Sequence, residues 1–478
     1  MAVDPMLQFV GRDQAYPAKR SAGDRAADFA EIAARYATPD AEDQAGRCSQ
    51  CGVPYCTVHC PLHNHIPDWL RLTAEGRLRE AYELSNATST MPEICGRICP
   101  QDRLCEGNCV IEFAGHGAVT IGSVEKYITD KAWEEGWVEP VAVGPARGQS
   151  VGIVGAGPAG MTAAEYLRNH GYNVHVYDRH DRAGGLLTYG IPGFKLEKPV
   201  VMRRVERLRD GGIIFHHGFA VGEDASLDEL RQRHDAVLIA TGVYRARQVD
   251  MPGADGATAA LDYLTASNRK GFGDSVPAYD DGTLSATGKH VVVIGGGDTA
   301  MDCVRTAVRQ GAASVRCLYR RDRANMPGSQ REVANAEEEG VEFVWLSAPT
   351  ALRDGPNGGE VALRRMRLGA PDASGRRAPE HEPDSDTTTR ADLVIKALGF
   401  DAEDLPVLFG APDLQVTRWG TVLADSRTLM TSLDGVFAAG DIVRGASLVV
   451  WAVRDGRDVA ATMHKWLRAR AAGARRAA

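Results

Sequence analysis

The sequence predicts an α/β fold with two Rossmann-like nucleotide-binding domains, preceded by a small helical domain that is rich in cysteine. Three observations support this prediction. Eight of the ten cysteines fall within residues 48–109. Further along the chain, residues 150–171 and 290–311 each contain a short β-branched strand, a glycine-rich turn and an amphipathic helix. Between the cysteine-rich region and the first of these units, residues 139–149 are rich in Pro, Gly and Ala and indicate a domain boundary.

The chain length of 478 residues corresponds to about three domains. We expect the cysteine-rich domain to comprise residues 1–145, the first nucleotide-binding domain residues 146–247 and 403–478, and the second residues 248–402. The net charge of −8 provides no basic surface for nucleic acid or an anionic membrane. Because the sequence shows neither an export signal nor an apolar run approaching about 18 residues, we expect a cytoplasmic protein with soluble partners.

Local patterns predict several further elements. Apolar residues at roughly helical spacing predict helices in residues 22–38 and 67–85. Residues 353–360 are predicted to form a turn, and residues 370–390 a longer polar excursion that ends in a hairpin tip. The Ala- and Arg-rich end of the chain is predicted to be a frayed helix.

The first glycine-rich turn has the features of a dinucleotide-binding site. Gly155, Gly157 and Gly160 form a G-x-G-x-x-G sequence directly after a strand and at the start of a helix. The first glycine permits the tight turn, the second permits close approach of a pyrophosphate, and the third permits close packing of helix and strand. The next strand ends at Asp178, whose carboxylate can accept the ribose hydroxyls. Strand, helix and acidic residue together favour a functional site over an incidental glycine turn.

The second glycine-rich turn predicts a site for NADPH. Its fingerprint residues are Gly295, Gly297, Asp298, Thr299 and Ala300. Alanine can replace the last glycine because that position serves only close packing. At the end of the next strand, where an NAD site has an acidic residue, the chain has Arg320 and Arg321. Charge-assisted hydrogen bonds from arginine favour a 2′-phosphate, and an arginine pair on a solvated surface is the alternative.

The cysteine spacing favours iron–sulfur ligation. Disulfides are typical of secreted chains, and a structural zinc site is the other alternative. The eight residues form two runs, which are Cys48, Cys51, Cys56 and Cys60, and then Cys95, Cys99, Cys105 and Cys109. The runs are similar to those of two-cluster ferredoxins, in which the last cysteine of one run ligates the other cluster. By that similarity, Cys109 joins the first three cysteines of the first run on one cluster. The second cluster is then held by Cys60, Cys99 and Cys105 and needs one more ligand.

Several downstream motifs resemble the two-dinucleotide-binding flavoprotein superfamily. They are RAGGLLTYGIPGFKL at residues 182–196, LIATG at residues 238–242 and GVFAAGDIVRGASLVVWAV at residues 435–453. The resemblance implies that the first fingerprint binds FAD. It also implies contacts with FAD from Gly440 and Asp441, and it places Gly185 and Lys195 near the isoalloxazine ring. An exposed loop carboxylate is the alternative for Asp441.

Nearly the whole chain resembles the glutamate synthase small-subunit family. The motifs that carry the resemblance are CSQCGVPYC, HCPLHNHIPDW, CPQDRLCEGNC, VTIGSVEKYI and YRRDRANMPGSQREV. It implies two 4Fe-4S clusters, and it implies that Glu125 completes the second cluster, with Cys95 as the alternative ligand. It further implies an electron-input subunit whose partner is a large FMN-containing (alpha) subunit in a hetero-oligomer. That partner makes L-glutamate from L-glutamine and 2-oxoglutarate, and nothing in this chain resembles an amidotransferase.

The implied chemistry begins with hydride transfer from NADPH to N5 of the flavin, with Lys195 and Asp441 near it. No redox-active cysteine pair follows the FAD fingerprint, since Cys303 and Cys317 belong to the second nucleotide-binding unit and are expected to be packed thiols. Electrons are therefore expected to leave through the iron–sulfur domain. Two alternatives stay open: an electron-input subunit for a pyrimidine- or ferredoxin-type partner, and a stand-alone flavin reductase in which the cysteines bind zinc.

Overall fold

The computed structural model describes residues 5–355, 358–371 and 377–477. The cysteine-rich region is helical, and its helices α1 to α8 are Ala22–Ala27, Thr38–Ala45, Tyr55–Val58, Ile66–Ala74, Leu78–Asn86, Pro92–Ile98, Val110–Phe113 and Ile121–Glu134. Helices α4 and α5 are amphipathic, and each packs its apolar face against α8. Trp69 of α4 is fully buried in the resulting core.

The helix predicted at residues 22–38 is wrong in extent. Helix α1 covers only the first six of these residues, and the chain then has no further helix until α2. The Asp28 carboxylate accepts hydrogen bonds from the Ala30 N–H at 3.0 Å and from Arg20 at 2.7 Å. These local side-chain bonds compete with helical backbone bonds, so the helix ends here.

The helix predicted at residues 67–85 is divided into α4 and α5. Gly76 lies between them and adopts a left-handed φ of 71°. A glycine in this conformation ends a helix, because it turns the chain without steric cost. The periodic apolar pattern continues across the break, so periodicity alone could not reveal it.

The first nucleotide-binding unit follows, with alternating strands and helices. Its elements are β1 Ser150–Val154, α9 Pro158–Asn169, β2 Asn173–Asp178, α10 Leu186–Tyr189, α11 Lys198–Asp210, β3 Ile214–His217, α12 Leu227–Arg233 and β4 Ala236–Ile239. The strands β1 and β4 are almost completely buried. They therefore read as continuous apolar runs, which is typical of a parallel sheet covered on both faces.

The second nucleotide-binding unit is longer because it contains an insertion. Its elements are β5 Arg245–Ala246, β6 Thr258–Ala259, α13 Ala260–Gly271, α14 Pro277–Asp280, β7 His290–Ile294, α15 Asp298–Arg309, β8 Ser314–Tyr319, α16 Gln330–Glu338, β9 Glu342–Trp345, β10 Ser347–Gly355, β11 Gly358–Pro371, β12 Arg377–Arg390, β13 Leu393–Lys396 and β14 Phe400–Asp401. The chain ends with α17 Leu405–Leu408, β15 Val436–Ala438, α18 Asp441–Arg444 and α19 Val449–Ala477.

Two parallel five-stranded sheets organise these units. The first has the order β15-β4-β1-β2-β3, and the second has the order β6-β13-β7-β8-β9. In each sheet the fingerprint strand is central, and ligands bind beyond the carboxyl ends of such strands. The short antiparallel pair β5–β14 lies where the chain passes between the two sheets. The predicted α/β fold class with two Rossmann-like units is confirmed.

The insertion is a three-stranded antiparallel sheet with the order β10-β11-β12. Most of residues 370–390 therefore form the paired strand β12, so the segment is polar and exposed as predicted but is not an irregular excursion. Its polar side chains face solvent and pair across the sheet, as Asp386 does with Arg364 at 2.8 Å. Residues 356–357 and 372–376, at the predicted turn and hairpin tip, lie outside the described residues.

The cysteine-rich region packs directly on the first nucleotide-binding unit. Glu93 of α6 and Arg204 of α11 form a fully buried ion pair with two hydrogen bonds of 2.8 Å. Met91 and Ile94 join the apolar core of that unit. Within the described ranges, every helix is too short or too polar to cross a membrane.

Candidate cofactor and electron-transfer site

The first fingerprint turn has the backbone geometry that a dinucleotide needs. Gly155 has a φ of 108°, and a Cβ there would lie 2.4 Å from the Ala240 carbonyl oxygen. A Cβ on Gly160 would lie 2.0 Å from the Gly155 carbonyl oxygen, so helix and strand meet without space for a side chain. Beside Gly157, in contrast, the space is open. The N-terminus of α9 is therefore accessible to a pyrophosphate.

Asp178 lies at the end of β2 next to this turn. Its carboxylate accepts the Ala156 N–H at 2.7 Å and the His180 N–H at 2.8 Å. Burial alone raises the pKa of Asp178, but a hydrogen bond from the His180 ring and those from the two backbone N–H groups lower it below the usual range. The ionised carboxylate lines a cavity that also borders Gly155 and Tyr244. This cavity has the position and the acceptor that the adenosine part of a dinucleotide requires.

Gly185 and Gly440 approach the fingerprint turn from two other segments. Gly185 has a φ of 54°, and a Cβ there would lie 2.9 Å from the Cα of Gly157. Gly440 has a φ of 80° and precedes α18, whose first residue is Asp441. The Ser447 hydroxyl donates to Asp441 at 2.7 Å. A Cβ on Gly440 would lie 2.9 Å from Cβ of Ala159, so the fold brings the late G-D motif beside the first fingerprint.

One cavity joins all three parts of the chain. Its wall includes Cys99 and Gln101 from the cysteine-rich region, Ile191, Lys195 and Ser447 from the first nucleotide-binding unit, and Asp298, Thr299 and Ser329 from the second. We call it the central cavity. It lies beside the second fingerprint turn, beyond the carboxyl end of β7, and its wall continues to residues 447–449 after the late G-D motif.

Lys195 lies in the wall of the central cavity and is held by two acidic residues of the second unit. Its Nζ lies 2.9 Å from Asp302 Oδ1 and 3.6 Å from Glu332 Oε2. Burial alone lowers the pKa of Lys195, but these carboxylates raise it above its usual range. Lys195 is therefore a stable cation that connects the two nucleotide-binding units.

The second fingerprint turn repeats the geometry of the first. Gly295 has a φ of 147°, and a Cβ there would lie 2.3 Å from the Ala397 carbonyl oxygen. The space beside Gly297 is open, and Ala300 is fully buried against the sheet. Thr299 lines the central cavity. The N-terminus of α15 is thus free to face a second pyrophosphate.

Arg320 and Arg321 follow β8, next to the second fingerprint. Arg320 is exposed, and its side chain has no ion pair or hydrogen bond with the described residues. The Nε of Arg321 is buried without a hydrogen-bond partner. Arg323, in contrast, is paired with Glu337 at 2.8 Å. The first two arginines therefore have donors available for an anionic group.

The eight N-terminal cysteines surround two separate cavities. The first is lined by Cys48, Cys51, Cys56 and Cys109. The second is lined by Cys60, Cys95, Cys99 and Cys105, together with Glu125 of α8. In the part of the chain that the structure describes, no three Cys, His, Asp or Glu side chains converge on a point suited to a single metal ion. The thiols instead line two cavities, and both Cys95 and Glu125 line the second cavity.

Burial holds several thiols of these cavities in the protonated form. Burial, with a contribution from neighbouring thiols, raises the pKa of Cys48 and of Cys56 to about 12. Burial also raises the pKa of Cys60 to about 11, and that of Glu125 well above its usual range. A set of buried thiolates is stable only when a metal centre supplies compensating charge. The donor set therefore fits thiolate-ligated iron–sulfur clusters.

The sequence analysis did not single out three polar residues at the boundary between the cysteine-rich region and the second unit. They are Arg103, Glu106 and Arg331. Arg103 and Glu106 lie between cysteines of the second run, and this position was a signal that could have been used. Cys303 and Cys317 are fully buried in the second unit.

Two family models match the chain. Residues 25–137 match the model described as dihydropyrimidine dehydrogenase domain II, 4Fe-4S cluster. Residues 149–456 match the model described as pyridine nucleotide-disulphide oxidoreductase. The fold and the site therefore define an oxidoreductase of the pyridine nucleotide-disulphide type, joined to an N-terminal 4Fe-4S domain.

The chain is 64% identical to the glutamate synthase [NADPH] small chain of Azospirillum brasilense, over 98% of both chains. It is 46% identical to that of Escherichia coli K12, over 97% of this chain and 99% of the relative. The chain belongs to the glutamate synthase [NADPH] small-chain family. The predicted family and oxidoreductase class are thereby confirmed.

A solved structure shares the fold of the two nucleotide-binding units. It is Mycobacterium tuberculosis FprA in complex with NADPH, with a TM-score of 0.56 and 21% identity. The match covers 68% of this chain and 86% of FprA. At this identity the likeness supports the fold alone.

Proposed function

We propose that the chain is the electron-input subunit of glutamate synthase. It oxidises NADPH at FAD and passes the electrons through two 4Fe-4S clusters to a large FMN-containing subunit. That subunit makes L-glutamate from L-glutamine and 2-oxoglutarate. The central cavity carries this proposal, because the fingerprint residue Thr299, the segment after Asp441 and the cluster-cavity residue Cys99 share one wall.

The residues of the chain bind and orient the cofactors. When bound, the flavin supplies hydride acceptance and single-electron release, and the clusters supply single-electron conduction. The open turns at Gly157 and Gly297 give backbone N–H groups to two pyrophosphates. Arg320 and Arg321 take the 2′-phosphate, which makes NADPH the preferred donor. Lys195 forms an ion pair with Asp302 across the cavity and so holds the two nucleotide-binding units together.

We assign the metal ligands from the two cysteine cavities. Cluster 1 is held by Cys48, Cys51, Cys56 and Cys109. Cluster 2 is held by Cys60, Cys99, Cys105 and Glu125, with Cys95 as the alternative to Glu125. Cys99 lines both the second cavity and the central cavity, so a cluster held there would supply single-electron transfer from the central cavity. A cluster held in the first cavity would supply the transfer to the partner.

The domain division follows the same assignment. Residues 1–145 form the iron–sulfur domain, residues 146–247 with 403–478 the FAD domain, and residues 248–402 the NADPH domain. The two parallel sheets lie within the latter two domains and support this division. We place the resulting hetero-oligomer in the cytoplasm.

The surface around the first cysteine cavity supports electron exit at cluster 1. It carries the exposed apolar side chains of Val53, Tyr55, Val58, Val110 and Phe113, which we call the exit surface. Phe113 is 70% exposed and Val53 is 62% exposed. Tyr55 and Val110 also line the first cavity. Exposed apolar side chains around a redox centre are suited to contact with a protein partner.

The experiment compares the isolated chain with the reconstituted complex. We expect the pure chain to oxidise NADPH with artificial acceptors but to make no glutamate, because nothing in its sequence resembles an amidotransferase. Addition of the purified large subunit should produce glutamate. Glutamate formation by the pure chain alone, or no NADPH oxidation by it, would contradict the proposal.

The exit surface is tested in the same assay. Phe113→Asp should weaken large-subunit binding and glutamate formation at least tenfold, while NADPH oxidation with artificial acceptors is retained. Val407→Asp is the matched control, since Val407 is 74% exposed but lies on the FAD unit. Full glutamate formation by Phe113→Asp would show that the partner binds elsewhere.

A further inference from the structure

Arg103 belongs to the cysteine-rich domain, but its guanidinium contacts the second nucleotide-binding unit. Its Nη1 donates to the Pro327 carbonyl oxygen at 2.7 Å. Its Nη2 lies 3.3 Å from Oδ2 of Asp298. Arg103 occupies the loop between Cys99 and Cys105, whose thiols line the second cysteine cavity. One loop therefore borders the second cysteine cavity and also contacts the second nucleotide-binding unit at its fingerprint.

Asp298 places a negative charge at the helix N-terminus where the phosphates of the cofactor are expected to bind. It is the first residue of α15, directly after Gly297, where the space for a pyrophosphate is open. A carboxylate at this place repels the phosphate groups that the helix N-terminus attracts. The Ser329 N–H donates to Asp298 Oδ1 at 3.0 Å, and Arg103 faces the other oxygen. The guanidinium is thus a cation in direct contact with this carboxylate at the helix N-terminus.

The segment after the second fingerprint holds Arg103 in place. The Gly328 N–H donates to the Gly296 carbonyl oxygen at 3.0 Å, so this segment lies directly on the fingerprint turn. The Ser329 hydroxyl donates to Asp102 at 3.2 Å. The side chain of Arg103 is 44% exposed, and Nη1 and Nη2 each make only one of the contacts with Pro327 and Asp298, so donors remain for a further ligand.

We propose that Arg103 is a pyrophosphate-binding residue of the NADPH site, supplied by the iron–sulfur domain. It offsets the charge of Asp298 and donates to the cofactor's phosphates. The inference rests on the proposed function, since it takes NADPH as the ligand of the second fingerprint. It adds a contact that the two nucleotide-binding units do not contain by themselves.

The test separates the pyrophosphate from the 2′-phosphate. Holoenzyme variants are titrated calorimetrically with NADP⁺ and with 2′-AMP, which has the 2′-phosphate but no pyrophosphate. Arg103→Ala should weaken NADP⁺ binding about tenfold, as expected for one lost charge-assisted contact. Binding of 2′-AMP should be unchanged, and Arg103→Lys should retain most of the NADP⁺ affinity. Arg79→Ala removes a charge from a surface pair of the same domain and should change neither affinity.

Unchanged NADP⁺ affinity in Arg103→Ala would overturn the inference, and so would an equal loss for both ligands. Iron and flavin are measured in each variant, because Arg103 lies near cluster ligands. If Arg103→Ala loses iron, the same two titrations with Arg103→Gln decide the question. A wild-type enzyme that binds no NADP⁺ would instead contradict the proposed function, so the two failures are distinguishable.

Discussion

Arg331 of the second nucleotide-binding unit forms an ion pair with Glu106 of the cysteine-rich region, with Nη2 2.6 Å from Oε2. The Glu106 side chain is only 1% exposed, and its other oxygen accepts the Gly122 N–H at 2.9 Å. The Tyr16 hydroxyl donates to the same Oε2 at 2.8 Å. One buried carboxylate, next to Cys105, therefore anchors the second nucleotide-binding unit to the cysteine-rich region.

We expect Arg331→Met to lower the free energy of unfolding by about 2 kcal/mol, because it leaves a buried carboxylate without its cation. Glu106→Gln in the same chain should restore part of the loss. Thermal unfolding of the holoenzyme measures both effects. Arg364→Met is the matched control, since it breaks a pair with the exposed Asp386 and should cost clearly less stability than Arg331→Met. Equal losses in the two single variants would show that burial of Glu106 has no consequence.

The arginine pair after β8 should determine the choice between NADPH and NADH. Replacement of Arg320 and Arg321 by alanine should raise KM for NADPH about tenfold to a hundredfold and leave KM for NADH nearly unchanged. Only NADPH presents the phosphate that these side chains would hold. Flavin reduction with each donor measures the ratio, and Arg323→Ala, which breaks the pair with Glu337, should not change it. An equal loss with both donors would show that the pair is structural.

The second cysteine cavity contains one more candidate ligand than a cluster requires. A lost thiolate ligand should cost a cluster, because the remaining thiols would be buried without their metal. We expect Cys60→Ser to lose about half of the iron, and Cys95→Ser to retain about eight irons per chain. Iron analysis and visible absorption measure both.

Glu125→Ala tests the other candidate for the fourth ligand of the second cluster. It should keep the flavin and change the reduction potential or the electron paramagnetic resonance of one cluster, because a nearby group or water can replace a carboxylate ligand. If Cys95→Ser loses a cluster while Glu125→Ala leaves both spectra unchanged, then Cys95 is the ligand.

His234 should make the stability of the FAD unit dependent on pH. Its ring is bonded to the Ser150 hydroxyl at 2.6 Å and to the Tyr177 hydroxyl at 2.8 Å. Burial, with repulsion from neighbouring histidines, lowers the pKa of His234 from 6.5 to about 4. The unfolded chain therefore binds a proton more readily, so the stabilisation is present above pH 6.5 and is lost as the pH falls towards 4.

Between pH 7.5 and pH 5, the wild type should lose on the order of 1 kcal/mol more stability than His234→Gln. Thermal unfolding at a series of pH values gives the two curves. Parallel curves would mean that another group causes the pH dependence.

The sequence was sufficient to predict the two fingerprints and the grouping of cysteines into two runs. Gly155 and Gly295 both have the positive φ that the turn requires, and short-range sequence specifies such turns directly. The Rossmann-like fold class followed from the same units. The helix at residues 22–38 was wrong, because the Asp28 bond to the Ala30 N–H outweighs the apolar periodicity.

The sequence by itself determined the fold class, the family and the residue types at the cofactor sites, because these depend on local turns, strands and motif spacing. Only the tertiary structure placed Arg103 beside Asp298 and Arg331 beside Glu106, which are 195 and 225 residues apart in the chain. It also placed both Cys95 and Glu125 at one cavity. Such contacts depend on how separately folded units pack, and no local pattern encodes the distance between residues on different units.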